Sequence, residues 1–426
     1  MTAPITRARV LIVAGNASAR GGGEAVLPLH YFTGLAARDW PVTLIAHERN
    51  RTELQAHLPH LAQHMHFTPD TALQRILWRI GSRMPGAVQE HLFGNLIELV
   101  NGWHLRRLIR SEVAAGHVDL VHQPVPVSPA APSMLFGLGV PVVIGPMNGG
   151  MNWPPGYARS QEHLLARAFV ALGRRFAGLA NRLLPGKRRA AMLLVANART
   201  AHALPTSHPR VVELVENGVD LAVWQAGIPA PPQPGTFRLV FIGRLVRWKA
   251  LDVTLHALAH AQRIRPDLSI TLDVLGDGPE RPALEALTGA LSLQAQVRFH
   301  GFLPQTDCAA RLAGADALIL NSLRECGGAV VLEAMAMGRP VIASAWGGPA
   351  DYLDDGCGLL VHPSPPEGFA ERLAGAIATL AADPERAARM GQAGAAKVRA
   401  QYDWARKLDR IAALYDEVLR YRTPSS

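Results

Sequence analysis

Short apolar runs recur along the chain, each followed by a glycine-rich or polar loop and then by a stretch with helical spacing. In the first half these runs are Val10–Ala14, Val42–Ala46, Leu120–His122, Val142–Ile144 and Leu193–Ala196. In the second they are Phe237–Ile242, Ile270–Leu275, Val297–His300, Ala317–Asn321, Val341–Ala343 and Leu359–Val361. Runs this short and this apolar fit buried strands, and their alternation with helices predicts parallel sheets in an α/β protein. Leu251, Leu255, Leu258 and Ala259 mark one helix, ending near Pro266. Ala329 to Met337 marks another, closed by Gly338 with Pro340 beyond, and Tyr402 to Tyr421 marks a last one. Asn217-Gly218 and the proline-rich run from Ile228 to Gly235 interrupt the pattern and mark a boundary. The expected organisation is a first domain over 1–205, a linker over 206–235, a second domain over 236–400 and a terminal helix over 401–426.

Composition narrows the class. A chain of 426 residues, 49% hydrophobic and 18% charged, is long enough for two or three cored domains and argues against disorder. Its three cysteines, Cys308, Cys326 and Cys357, are odd in number and lack metal-ligand spacing, so no disulfide framework is expected and a reducing compartment is. Cys326 reads as a small filler rather than a redox group. Arg7, Arg9 and the run Val10–Ala14 mimic a secretion signal, but the apolar core falls short of the ~7–15 residues such a signal needs. It reads as a first strand. No run approaches the ~18 apolar residues that span a bilayer.

Charge adds a further feature. The formal net charge is +9. Between Arg159 and Arg189 lie Arg167, Arg174, Arg175, Arg182, Lys187 and Arg188 against only Glu162, interleaved with leucines and phenylalanines. A basic amphipathic stretch of this kind suits either an anionic lipid surface or a solvated face over a core. No helix-turn-helix, zinc or stacking signature accompanies it, so nucleic acid is not expected.

Residues able to do chemistry gather at the ends of the expected strands, where parallel α/β sheets hold ligands. After Phe237–Ile242 come Gly243, Arg244 and Lys249: a planar fork and a point charge, both suited to phosphate oxygens. After Ala317–Asn321 comes Glu325 in a loop, then Gly327 and Gly328, whose amides open a helix that would favour a phosphate. Glu333 stands inside that helix, and carboxylates so placed can hold ligand hydroxyls. Taken singly, each feature is equally a surface loop or a core helix. After the first strand, Gly21, Gly22 and Gly23 permit close backbone approach, without the Gly-x-Gly-x-x-Gly spacing of a dinucleotide fingerprint. His122 ends one strand and is either a site residue or a hydrogen-bonded core imidazole. Asn148 follows another, with Gly149 and Gly150 behind it.

The two segments, Gly243 to Lys249 and Glu325 to Glu333, resemble the donor-binding signature of retaining glycosyltransferases of family 4, including two glutamates separated by seven residues. The similarity is dense from about Glu216 to His362. It implies the GT-B fold, with two Rossmann-like doubly wound parallel-sheet domains facing a cleft and a terminal helix that crosses back to the first. It also implies Arg244 and Lys249 on the donor diphosphate, Glu325 on the sugar and Glu333 on the ribose. The loop of Gly301 to Leu303 is implied near the nucleobase, Gly22 and Gly23 at the cleft, and Asn148 against the sugar or acceptor. Ala250 stands where the family usually has Gly, and the histidine many members carry near Gly145–Asn148 is missing, so no acid or base role transfers there.

The expected activity is therefore hexosyl transfer from a nucleoside-diphosphate sugar to an acceptor hydroxyl on a lipid-linked or cell-surface glycan precursor. Arg244, Lys249 and the Gly327-Gly328 helix start would meet the leaving diphosphate without a metal or resident cofactor. The expected location is the cytoplasm, either free or peripheral at the inner face of the membrane. The alternatives are another GT-B enzyme, an epimerase or a phosphorylase, and a non-catalytic sugar-nucleotide-binding module.

Overall fold

The computed structural model describes residues 7–19, 23–84, 89–157, 178–225 and 235–421. Gly22, most of the basic stretch after Arg159 and most of the proline-rich run lie outside the described residues. The chain divides into two compact units. The first takes in residues up to 150, the described part of 162–216 and everything from Leu408 on, and the second takes in the remainder.

Among the described residues, the first unit is built on seven parallel strands in the order β3-β2-β1-β4-β5-β6-β7. These are β1 (Val10–Val13), β2 (Val42–His47), β3 (Met65–Thr68), β4 (Leu120–Gln123), β5 (Val142–Met147), β6 (Met192–Val195) and β7 (Val211–Glu213). β1 is buried at every position, which is why it reads as a continuous apolar run rather than an alternating one. Leu11, Ile45, Ile109, Val121, Ile144 and Leu193 join strands and helices in one core. Helices α1 (Leu27–Ala36), α2 (Ala72–Gly81) and α3 (Asn95–Ala114) belong to this unit.

The second unit has six parallel strands in the order β10-β9-β8-β11-β12-β13. They are β8 (Thr236–Ile242), β9 (Ser269–Leu275), β10 (Val297–Gly301), β11 (Ala317–Leu320), β12 (Val341–Ser344) and β13 (Gly358–Val361). Helices α4 (Leu251–Ile264) and α5 (Ala329–Ala336) follow β8 and β11. The last helix, α6 (Trp404–Arg420), counts with the first unit from Leu408 on. Both sheets are thus doubly wound and Rossmann-like, with the strand order reversing beside the first strand of each: between β1 and β4, and between β8 and β11.

Two strands were not expected. β3 and β7 lie at the edges of the first sheet, and β7 falls inside the segment read as linker. Lys187, grouped in the sequence with a basic outer face, is instead buried, where its ammonium donates to the carbonyls of Ser128 and Pro129. Burial, with no carboxylate partner among the described residues, pulls it down to about 7.

Candidate active site

The second unit assembles its site at the β8–β11 reversal. β8 ends in Gly243, and the chain turns through Arg244 into a short 3-10 turn, Arg247–Lys249. Ala250 then adopts a left-handed conformation, φ +51°, before α4 begins. That conformation explains why the resemblance leads one to expect glycine here: a Cβ makes it costly. Asn321, buried at the end of β11, holds the turn in place, its Nδ2 donating to the Ala250 carbonyl at 2.8 Å and its Oδ1 accepting from Thr254 Oγ1 at 2.6 Å. The amide of Leu323 donates to the Trp248 carbonyl at 2.8 Å, tying the two loops together.

The outcome is an ion pair between Lys249 Nζ and Glu325 Oε2, with only 14% and 16% of the two side chains exposed. Glu325 is fixed by its backbone as well. Its carbonyl accepts from the Gly348 amide at 2.8 Å, and a Cβ at Gly347 would stand 2.4 Å from the same oxygen, so only glycine fits there. Gly328, at φ +80°, is the N-cap of α5. A Cβ on it would lie 3.0 Å from Glu325 Cγ, so the glutamate side chain folds back over the helix start.

Arg244 is exposed, and no carboxylate or carbonyl among the described residues engages its guanidinium. Glu333 sits one turn into α5, half-buried by surface exposure, with no hydrogen bond or ion pair on its carboxyl among the described residues. Although its side chain reaches the surface, the carboxyl is closely surrounded by protein, and burial pushes it up to about 7. The loop after β10 presents Phe302 with 76% of its surface exposed. Cys326 is exposed too, not a core filler.

On the first unit, Gly23 has φ +61° with open space around a built Cβ, and Glu24 accepts from the Val127 amide at 2.9 Å. Asn148 is buried rather than presented to a ligand, its Nδ2 donating to Glu216 Oε1 at 2.7 Å. The neighbouring Gly149 amide donates to Thr200 Oγ1 at 3.1 Å. His122 is fully buried: its Nε2–H donates to the Gly145 carbonyl at 2.6 Å and its Nδ1 accepts from Tyr415 Oη at 2.6 Å. It is a core imidazole, held neutral by burial at about 4.

Sequence reasoning singled out Arg244, Lys249, Glu325 and Glu333 but passed over the groups that position them: Asn321, Gly347, Gly348 and the Trp248 carbonyl. Only Asn321 left a signal, a polar residue ending an apolar strand.

Comparison with known proteins bears on this arrangement. Residues 230–397, which contain all four of those side chains, match the family model described as glycosyl transferases group 1. Over 232 residues the chain is 32% identical to the alpha-maltose-1-phosphate synthase of Mycolicibacterium smegmatis, covering 50% of this chain and 59% of that protein. Over 242 residues it is 34% identical to the D-inositol 3-phosphate glycosyltransferase of Thermobispora bispora, covering 53% and 55%. The chain thus spans a little over half the length of these relatives. HepE of Anabaena, solved in complex with UDP and glucose, superposes with a TM-score of 0.64 at 18% identity, over 96% of this chain and 100% of that one. The span from 230 to 397 accordingly matches group 1 of the glycosyl transferases, on a chain whose two Rossmann-like sheets share the GT-B fold.

Proposed function

We propose that the chain is a retaining glycosyltransferase of the family 4 type that moves a hexosyl group from a nucleoside-diphosphate sugar to an acceptor hydroxyl. One observation carries the reading: Lys249 and Glu325, from loops on either side of the strand-order reversal, meet at the helix start formed by Gly328. A cation, a carboxylate and the amides of a helix start converging there suit a ligand that is phosphate at one end and polyhydroxylated at the other. The relatives named as glycosyltransferases and a neighbour solved with UDP and glucose support the same class.

In this scheme Arg244, Lys249 and the amides of Gly327 and Gly328 hold the diphosphate. Glu325 orients the transferred sugar, Glu333 accepts from the ribose hydroxyls, and Phe302 stacks on the base. The bond from the anomeric carbon to the diphosphate oxygen breaks while the acceptor oxygen bonds to that carbon on the same face. The acceptor proton passes to the departing phosphate, and the nucleoside diphosphate leaves. Negative charge grows on the diphosphate as the bond lengthens, where the fixed cations and helix amides stabilise it more than in the ground state, in place of a metal or resident cofactor. Gly22 and Gly23 are proposed to bind the donor through their backbone, together with the turn at Asn148. Because the Asn148 amide is already engaged by Glu216, its part is to hold that turn. A lipid-linked or cell-surface glycan precursor is the proposed acceptor, handled in the cytoplasm at a membrane face.

The test is a thermal-shift and calorimetric screen of UDP, GDP and ADP and their glucose conjugates, with EDTA present. Wild type is compared with Arg244→Ala, Lys249→Ala. One nucleotide series should bind wild type and lose at least tenfold in affinity in the double variant, as expected for removal of two charged phosphate contacts. Undiminished binding by the variant would put the donor elsewhere and sink the proposal.

A further inference from the structure

An amphipathic helix normally turns its apolar stripe to the core. In α2 the reverse holds. Its buried positions are Gln74 and Gly81, and Gln74 is held inward by a capping box with Thr71 and by His47 Nε2 at 3.2 Å. Leu73, Ile76 and Ile80, spaced i, i+3, i+7, are left 52%, 51% and 42% exposed. On the same spacing in α3, Leu96, Leu99 and Trp103 are also exposed. The two helices pack against one another.

The α3 stripe then runs straight into a cluster of cations. One turn beyond Trp103 come Arg106 and Arg107, and two turns beyond it Arg110, which with Met134 line a hollow of about 340 Å³. Arg107 lies over the Trp103 ring and Arg106 over the Phe136 ring, while Arg110 donates to the Gly137 carbonyl at 3.2 Å. No carboxylate among the described residues pairs with any of the three, and burial, followed by the proximity of Arg110, lowers the proton affinity of Arg106. The acids of α3 point elsewhere. Glu98 crowds Gly15 in the loop after β1, and Glu112 faces His66 and His117. On α2 the charged residues are Arg75 and Arg79, of which Arg75 reaches back to Asp70.

We propose that this face of α2 and α3 is a docking surface for an anionic phospholipid bilayer, with a lipid phosphate seated in the Arg106–Arg107–Arg110 hollow. Trp103 lies between the apolar stripe and the cations, the order in which a bilayer presents acyl chains, interface and phosphates. Uncompensated arginines call for an anionic partner, and phosphate matches their forked donors. Vesicle binding reads this surface with no sugar donor present, so it stands or falls apart from the proposed activity.

The experiment is co-sedimentation of the full chain with phosphatidylcholine vesicles, with and without phosphatidylglycerol, at low and high salt. Wild type should prefer the anionic vesicles and lose binding with salt. Arg107→Ala with Arg110→Ala removes two exposed cations and should weaken partitioning roughly 30-fold. Leu73→Ser with Ile76→Ser and Ile80→Ser should weaken it further, both variants keeping the wild-type melting temperature. Binding that ignores phosphatidylglycerol, or survives in the variants, overturns the proposal. So does a dimer in solution that both sets of substitutions dissolve, since the face would then cover a second copy. Inorganic phosphate that stabilises the chain through the same arginines while vesicles do not would equally overturn it, in favour of a soluble phosphate ligand.

Discussion

The His122 imidazole offers a direct test of how the last helix is held. It sits in the core between Tyr31 of α1, the Gly145 carbonyl of β5 and the Tyr415 hydroxyl of α6, all in the first unit. The neutral ring satisfies both neighbours, donating at Nε2 and accepting at Nδ1. A second proton would have to go on Nδ1 and break the Tyr415 bond inside a buried cluster. Burial pulls the folded imidazole down to about 4 against a usual 6.5. Between those values the unfolded chain takes up more protons than the folded one, so stability is complete above the unfolded value and falls as the pH drops toward the folded one. Between pH 7.5 and pH 5 the loss from this one group is about 2 kcal/mol, and close to ~3 kcal/mol once the folded ring is protonated. Hydrogen exchange of β4 and α6 peptides reads it locally. In His122→Gln, which cannot titrate, protection should be lower than wild type at pH 7.5, and the gap should narrow by about 2 kcal/mol at pH 5. A gap that stays constant with pH would show that the imidazole is not neutral and buried as described.

Other consequences follow from the donor-side geometry. Ala250→Gly relieves a left-handed alanine at φ +51° and should raise the melting temperature of the second unit by a few degrees, about 1 kcal/mol less the added freedom of the unfolded chain. Glu333, raised to about 7 by burial, takes up its proton more readily folded than unfolded, so its contribution to stability is present at pH 5 and lost as the pH rises through 7. Glu333→Gln should consequently stabilise the chain at pH 8, by on the order of 2 kcal/mol in urea unfolding, and by much less at pH 5. Affinity for a nucleoside-diphosphate sugar, which has no ionisation of its own near neutrality, should rise through pH 7 in wild type and be flat in that variant. A pH-independent wild-type affinity would remove Glu333 from the ribose.

What could be read from the residues alone was the central strands and the charged side chains that follow them. β1 and β11 are continuous apolar runs because both faces are covered, β8 is apolar but for Thr236 and Arg238, and Arg244, Lys249, Glu325 and Glu333 stand out against them. The edge strands β3 and β7 escaped because a short strand with a solvated side carries little apolar signal; β7 is only three residues long. The Lys249–Glu325 contact joins residues 76 apart, and only the strand order, with β8 beside β11, brings them together. In α2, which was not read from the sequence, the spacing of Leu73, Ile76 and Ile80 marks an apolar stripe but not which way it faces. That was decided by a capping box and a buried glutamine, interactions invisible to periodicity. Asn148 looked available at a strand end, and its partner Glu216 was 68 residues away.

The ion pair has a consequence for the proposed reaction. Lys249 cannot give its full charge to a diphosphate while Glu325 neutralises it, and Glu325 cannot orient a sugar while its Oε2 is held by Lys249. A donor that brings both phosphate and sugar satisfies the two at once, whereas a nucleoside diphosphate competes for the lysine and leaves the glutamate without a partner. With both side chains mostly buried, separating the pair costs at least the ~1 kcal/mol of an exposed one, or about fivefold in affinity. Glu325→Gln keeps the shape and removes the competitor. The variant should bind the nucleoside diphosphate about fivefold or more tightly than wild type, while turnover falls on the order of 100-fold. Titration calorimetry and a sugar-transfer assay on the same preparation separate the two effects. Should the variant bind the nucleoside diphosphate more weakly, Glu325 acts by positioning Lys249 for phosphate. Its assignment to the sugar would then have to be withdrawn.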